Sequence, residues 1–247
     1  MKKKYGFFGV LAGVAAVFVM AQFPSSAHDN VVVIPLFSGG SDDASSCTEP
    51  NEVLSEGQCW KDRNLGATQV ATASDDSAAY GDLYQWGRLG EGHQNIDRTV
   101  IPNVPISGST TTKSANDVPG HSNFITENSS PYDWRVPQND NLWQGLDGIN
   151  NPCPQGFRLP TQTELETERL SWSSNNAAGA FASPLKLVVA GYRDYSDGAL
   201  SFTGGAGYYW SSTVSGINAR ILFFGNTNAF MHSYARATGC SVRCLKD

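Results

Sequence analysis

From Lys186 to Arg236 short apolar runs alternate with turn residues. KLVVAGYR (Lys186–Arg193), GYYWSS (Gly207–Ser212), ARILFF (Ala219–Phe224) and AFMHSYAR (Ala229–Arg236) are separated by segments bearing Gly, Asp and Asn, which predicts four short strands. Upstream the period changes. SDDSAAYGDLYQWGR offers Ser74 as an N-cap, Asp75 and Asp76 in a first turn, and Ala79, Leu83 and Trp86 on one face, predicting a helix. Thr161 and Glu164 in TQTELETERL spell a capping box, which predicts a second helix with Leu165 and Leu170 available to the core. Between them, Gly92 to Pro131 is rich in Ser, Thr, Asn and Pro without a sustained period and reads as surface loop with short strands.

The last two predicted strands raise a question of faces. In ARILFF, Leu222 and Phe224 share one face while Ile221 and Phe223 share the other. In AFMHSYAR, Phe230, His232 and Tyr234 stand opposite Met231 and Ser233. With Gly225–Ala229 as the turn, the two strands form a ribbon with one regular face and one idiosyncratic face of Ile, Phe, Phe, His and Tyr. Either that second face is exposed for binding, or both faces are buried, one under the first helix and the other under the long insertion. Periodicity does not choose between these.

The N-terminus adds a compartment. Lys2-Lys3-Lys4 precedes an apolar run from Gly6 to about Phe23, and Ser25 and Ala27 stand where a signal peptidase requires small residues. The reading is a signal peptide over 1–27 and a secreted or cell-surface protein. The alternative is an uncleaved anchor, because roughly 18 apolar residues just span a bilayer, and membrane contact is expected only through that segment. VVVIPL and the Gly/Ser/Asp stretch after Phe37 complete a flexible linker over 28–46, leaving a domain at 47–247. At 247 residues with a net charge of −6, the chain shows no basic stripe, which sets nucleic-acid partners aside.

Export makes the five cysteines readable as disulfides, although spacing does not fix connectivity. The expected pairs are Cys153–Cys244 and Cys47–Cys59, which leaves Cys240 odd. Asn139, Asp140, Asn141, Asp147 and Asn150 gather oxygen donors of the kind calcium prefers, but without EF-hand spacing or its terminal Glu, and such residues also make turns. No cofactor is expected beyond a structural calcium ion there. His28, His93, His121 and His232 are too dispersed to form a metal-ligand spacing, and no Ser/His/Asp order or phosphate-binding Gly loop has supporting context.

YGDLYQWGR, NPCPQGFRLPTQTELE, LKLVVAGYRD, DGALSFTGGAGYYWSS and the terminal SVRCLKD together resemble the Fibrobacter succinogenes major paralogous domain family, in order from about Trp60 to Asp247. The resemblance implies an α+β, C-type-lectin-like fold related to formylglycine-generating enzymes, with two helices, a small twisted antiparallel sheet and long irregular loops. Glu49-Pro50-Asn51 resembles the calcium and mannose triplet of true C-type lectins. Its Trp-Asn-Asp partner is absent, and it precedes the domain, so a solvated turn is the competing reading. The formylglycine-generating enzymes need reactive cysteines upstream of the final strand, and Gly204 to Gly239 contains none. The expectation is a protein without catalytic residues.

The stretch YYWSSTVSGINARILFFGNTNAFMHSYARATGCSVRC resembles the variable region of surface proteins diversified by retroelements. In that class unfaithful copying of template adenines turns an Asn codon AAC into any codon ending in C. Lys, Glu, Gln and Trp cannot arise this way, and none occurs from Ser211 to Cys240. Met231 cannot arise so either, which marks it as a fixed core position. The resemblance implies a variable ribbon at about 217–240 and a binding face of Ile217, Ile221, Phe223, Gly225, Asn228, Phe230, His232, Tyr234, Thr238 and Cys240. Trp60, Trp86 and Trp210 are expected to hold the scaffold. The partner is an unidentified protein or glycan at a cell surface; a fixed adhesin or carbohydrate-binding module, then a formylglycine-type oxidase, are the alternatives.

Overall fold

The computed structural model describes residues 47–247, so the expected signal segment and linker lie outside the described residues. A hairpin opens the domain. β1 (Glu52–Ser55) and β2 (Gln58–Lys61) pair antiparallel around Glu56 and Gly57, at φ 49° and 74°, the two-residue turn whose twist suits paired strands.

The first predicted helix does not form. Asp76, not Ser74, caps a single 3-10 turn at Ser77–Ala79. Gly81 then turns the chain at φ 67°, where a Cβ would lie 2.5 Å from the Leu65 carbonyl oxygen. Leu83 and Trp86 are buried nonetheless, on either side of the extended β3 (Tyr84–Gln85). The long polar stretch contributes β4 (Ile96–Asp97) paired with β5 (Val104–Pro105), and β6 (Ser109–Thr110) paired with β7 (Phe124–Ile125).

β8 (Phe157–Arg158) leads into α1 (Gln162–Ser171), which starts on the expected capping box: Thr161 Oγ1 accepts from Glu164 N, and Glu164 accepts from Thr161 N. Leu165 is buried, but Leu170 is 68 % exposed, contrary to expectation. Five residues on from Leu165 it lies about 140° around the helix. Glu168 takes the inward place, accepting from Ser55 Oγ at 2.6 Å and Trp172 Nε1 at 3.1 Å. Burial pushes the Glu164 carboxyl up, but hydrogen bonds from Arg158 and Thr161 outweigh it and hold it down at about 2. The stabilisation is therefore complete above the ordinary carboxylate value near 4.5 and lost as pH falls toward 2. Thermal melts of Glu164→Gln against the parent are expected to differ clearly at pH 7, to draw closer below pH 4 and to converge only at about pH 2.

A second helix, α2 (Ala177–Ala182), was not expected; Asn176 caps it by accepting from Ala178 N and Gly179 N. Leu187–Ala190, buried and part of the strand expected over Lys186–Arg193, finds its main-chain partners elsewhere. Tyr209 Oη accepts from Val188 N at 2.9 Å and donates to Val188 O at 3.0 Å, and Val189 N donates to Ser74 O. Only Tyr192–Arg193 at its end is a strand, β9. β10 (Leu200–Ser201), β11 (Gly207–Ser215), β12 (Asn218–Phe224), β13 (Ala229–Tyr234), β14 (Gly239–Cys240) and β15 (Leu245–Lys246) follow.

These strands form sheets in the orders β1-β2-β15-β8, β10-β9-β14-β3 and β11-β12-β13. With 27 % strand against 9 % helix, the domain is predominantly β, which overturns the α+β, C-type-lectin-like expectation. The first of the two helices on which it rested is a 3-10 turn.

Both expected disulfides are present, Cys47–Cys59 and Cys153–Cys244, with Cα separations of 5.5 and 5.8 Å. They fit an oxidising, extracellular setting. No helix among the described residues is long and apolar enough to cross a membrane.

Candidate functional site

The site is built on the β11-β12-β13 sheet. Tyr208 lies opposite Phe223 and Phe223 opposite Phe230; Trp210 lies opposite Ile221 and Ile221 opposite His232. Residues directly opposite share a face, so these six and Tyr234, further along β13, face the same way. The reverse face carries Tyr209, Leu222, Phe224, Ala229 and Met231, packed against Leu165 and Trp172 from α1 and its end and against Ala177 and Ala180 from α2. Leu222 and Phe224 are fully buried and Met231 partly so, as the alternation predicts.

On the first face five rings, joined by Tyr192 of β9 and Phe202 of the turn after β10, make seven in continuous contact. Phe202 stacks on Tyr192 at 6.1 Å, Tyr192 meets Tyr208 at 4.8 Å and Tyr234 at 5.7 Å, and Tyr208 meets Phe223 at 5.2 Å. Phe223 meets Phe230 at 5.0 Å, Phe230 meets His232 at 5.9 Å, and His232 closes on Tyr234 at 6.1 Å. Edge-to-face and offset contacts of this kind hold rings in fixed relative positions. Phe230 is 41 % exposed and Phe202 63 %, His232 is exposed, and Tyr192, Phe223 and Tyr234 are half-buried.

The array differs from the expected face in both directions. Ile221 is fully buried: it sits on the central strand between Trp210 and His232 and belongs to a core cluster with Trp86, Trp210 and Cys240. Gly225 is buried because its carbonyl accepts from Ala177 N, at the start of α2, while its N–H donates to Asn228 O. Thr238 and Cys240 are fully buried where the chain enters β14, between β3 and β9. Ile217, Asn228, Phe230 and His232 are exposed as expected. Tyr192, Phe202 and Tyr208 were not foreseen. Extending the alternation across β11 would have found Tyr208. Phe202 gives no such signal; it adopts φ 55°, a conformation L-residues rarely take, in the turn after β10.

Fixed polar groups hold the β11–β12 turn. Gln138 Nε2 donates to Ile217 O at 2.9 Å, and Arg236 Nη2 donates to Gly216 O at 3.1 Å and to Asp140 Oδ1 at 2.6 Å. The Arg236 guanidinium lies 4.7 Å over the Trp86 ring. Trp86 in turn donates Nε1–H to Ser211 O, and Trp210 donates to Tyr84 O.

The phenols of Tyr208 and Tyr234 stay protonated near neutrality. Burial pushes the Tyr208 phenol up to about 12, with Tyr192 and Cys240 adding to it, and burial likewise pushes up Tyr234. Burial also pushes the Cys240 thiol well up, the opposite of what a nucleophilic thiolate requires.

The other candidates are taken up in structure. Asp140 is bound to Arg236, Asn139 Nδ2 donates to Asp117, and Asn139 Oδ1 accepts from Asn141 N. Asp147 is exposed, and Asn150 is buried with Nδ2 donating to Gly87 O and Asp117 O. Asp140, Asn139 and the Asn150 amide nitrogen thus serve an ion pair and loop contacts. Asn51 of the Glu-Pro-Asn triplet lies in a turn and accepts from Arg63. His93 is buried, its Nε2 accepting from Gln85 N, whereas His28 lies outside the described residues. Comparison with protein-family models, with curated proteins and with solved structures returns no match.

Proposed function

We infer that the ring-bearing face of the β11-β12-β13 sheet is the ligand-binding surface of an exported protein, and that its C-terminal part is diversified by a retroelement. The observation that carries this reading is the continuous seven-ring array, exposed at Phe202, Phe230 and His232 and backed by a sheet whose reverse face is core. Aromatic side chains give large contact area for little conformational entropy, and an exposed apolar patch of this kind marks a binding site. The exposed or half-buried positions Ile217, Phe223, Asn228, Phe230, His232 and Tyr234 are all of types that adenine mutagenesis of an Asn codon yields. Fixed groups hold the turn and the strands beneath them. Ile221, Gly225, Thr238 and Cys240 leave the surface on grounds of burial.

A fixed adhesin or glycan-binding module would use the same face. Tyr192 and Phe202, stacked at an interplanar angle of 22°, precede the 217–240 stretch, so that part of the face stays constant in either reading. The two readings part at the DNA. Sequencing the flanking region is expected to reveal a near-copy of the last coding stretch differing at adenines, with a reverse transcriptase gene beside it. Finding neither would remove diversification and leave the fixed module.

A further inference from the structure

The geometry points to a second copy of this chain as the partner of strand β13, paired antiparallel edge to edge about a twofold axis at Met231. β13 is the outer strand of its sheet, with β12 as its ladder partner among the described residues. β11, at the other edge, is covered by bridges from Gly191 and Ser241.

The free groups on β13 follow from the ladder. Trp210 N donates to Ser241 O and Ser241 N donates to Tyr208 O, so the main-chain groups of Tyr208 and Trp210 point away from β12. Strand alternation then turns Phe223 and Ile221 toward β13, where they hydrogen-bond with Phe230 and His232. Ala229, Met231 and Ser233 are left with N–H and C=O groups directed outward, and no main-chain hydrogen bond among the described residues takes them up.

Natural sheets block such an edge with charges, proline, bulges or very short strands. AFMHSY has none of the first two, runs six residues and keeps an unbroken register with β12, whereas β11 carries an irregularity between Trp210 and Val214. The strand is also self-complementary. Pairing centred on Met231 sets Phe230 of one copy opposite His232 of the other, repeating across the axis an aromatic contact already made within the strand at 5.9 Å. Met231 faces Met231, Ala229 faces Ser233, and no like charges meet. The product is an isologous dimer with one continuous sheet and both ring arrays on the same side. It does not depend on diversification, since the bonds that form it are main-chain.

Sedimentation equilibrium on the exported chain is expected to show a concentration-dependent dimer, with amides of Met231 and Ser233 gaining exchange protection as the dimer forms. Phe230→Lys/His232→Lys sets lysines opposite one another at exposed positions and is expected to weaken the dimer about tenfold or more. Phe230→Glu/His232→Lys sets Glu opposite Lys and is expected to restore it. Unchanged circular dichroism would confirm that both variants are folded. A monomer at every concentration, a dimer indifferent to both variants, or a dimer whose Met231 and Ser233 amides stay unprotected would each overturn the proposal. None of these outcomes bears on the flanking-DNA test of diversification.

Discussion

Phe224→Ala is expected to lower the unfolding free energy by about 3–5 kcal/mol, and Phe230→Ser with His232→Asn to change it by no more than about 0.5 kcal/mol. The contrast comes from one turn of the ribbon. Phe224 is fully buried, stacked on Tyr209 at 5.6 Å and edge-on to Trp172 at 5.6 Å. It also fills the space over Gly207, where a Cβ would lie 2.1 Å from its ring. Truncation leaves a cavity that two packed elements cannot close. Phe230 and His232 lie on the opposite face with water beside them. Thermal and denaturant melts of the two variants check this, and comparable losses would mean that the ring-bearing face is covered.

Removing the Cys153–Cys244 bridge by replacing both residues with Ser is the second large effect, a loss of about 2–4 kcal/mol, toward the upper end for a span of 91 residues. The bridge joins the segment before β8 to the one before β15, and Cys244 O accepts from Lys61 N beside it. It therefore ties the approaches to β8 and β15, neighbours in one sheet, to each other. None of the seven rings lies on that sheet, so surviving folded protein should keep the same surface. A melting temperature unchanged by the double substitution, or by reductant acting on the parent, would contradict the role assigned to the bridge.

What could be read from the chain was what depends on near neighbours. The Thr161–Glu164 capping box is a contact between residues three apart, and it forms as spelled. The alternation that separates Leu222 and Phe224 from Phe223 and Phe230 is likewise local, and the register preserves it. The failures lie where distant partners decide. Tyr84 pairs with Cys240, far along the chain, which draws Tyr84–Gln85 out of the expected helix. Ile221 has the alternation of a surface residue, but Trp86 and Cys240, brought in by other strands, close over it. Phe202 reaches the array through a left-handed turn conformation that its own residue type does not announce.

Diversification requires that the exposed side chains of the ribbon change while those behind them do not. Sequencing this gene from many isolates of one population measures it directly. Substitutions are expected to concentrate at Ile217, Phe223, Asn228, Phe230, His232 and Tyr234, all drawn from codons ending in C, with Leu222, Phe224 and Met231 constant. Substitutions spread evenly between the two faces, or a ribbon identical in every isolate, would contradict it.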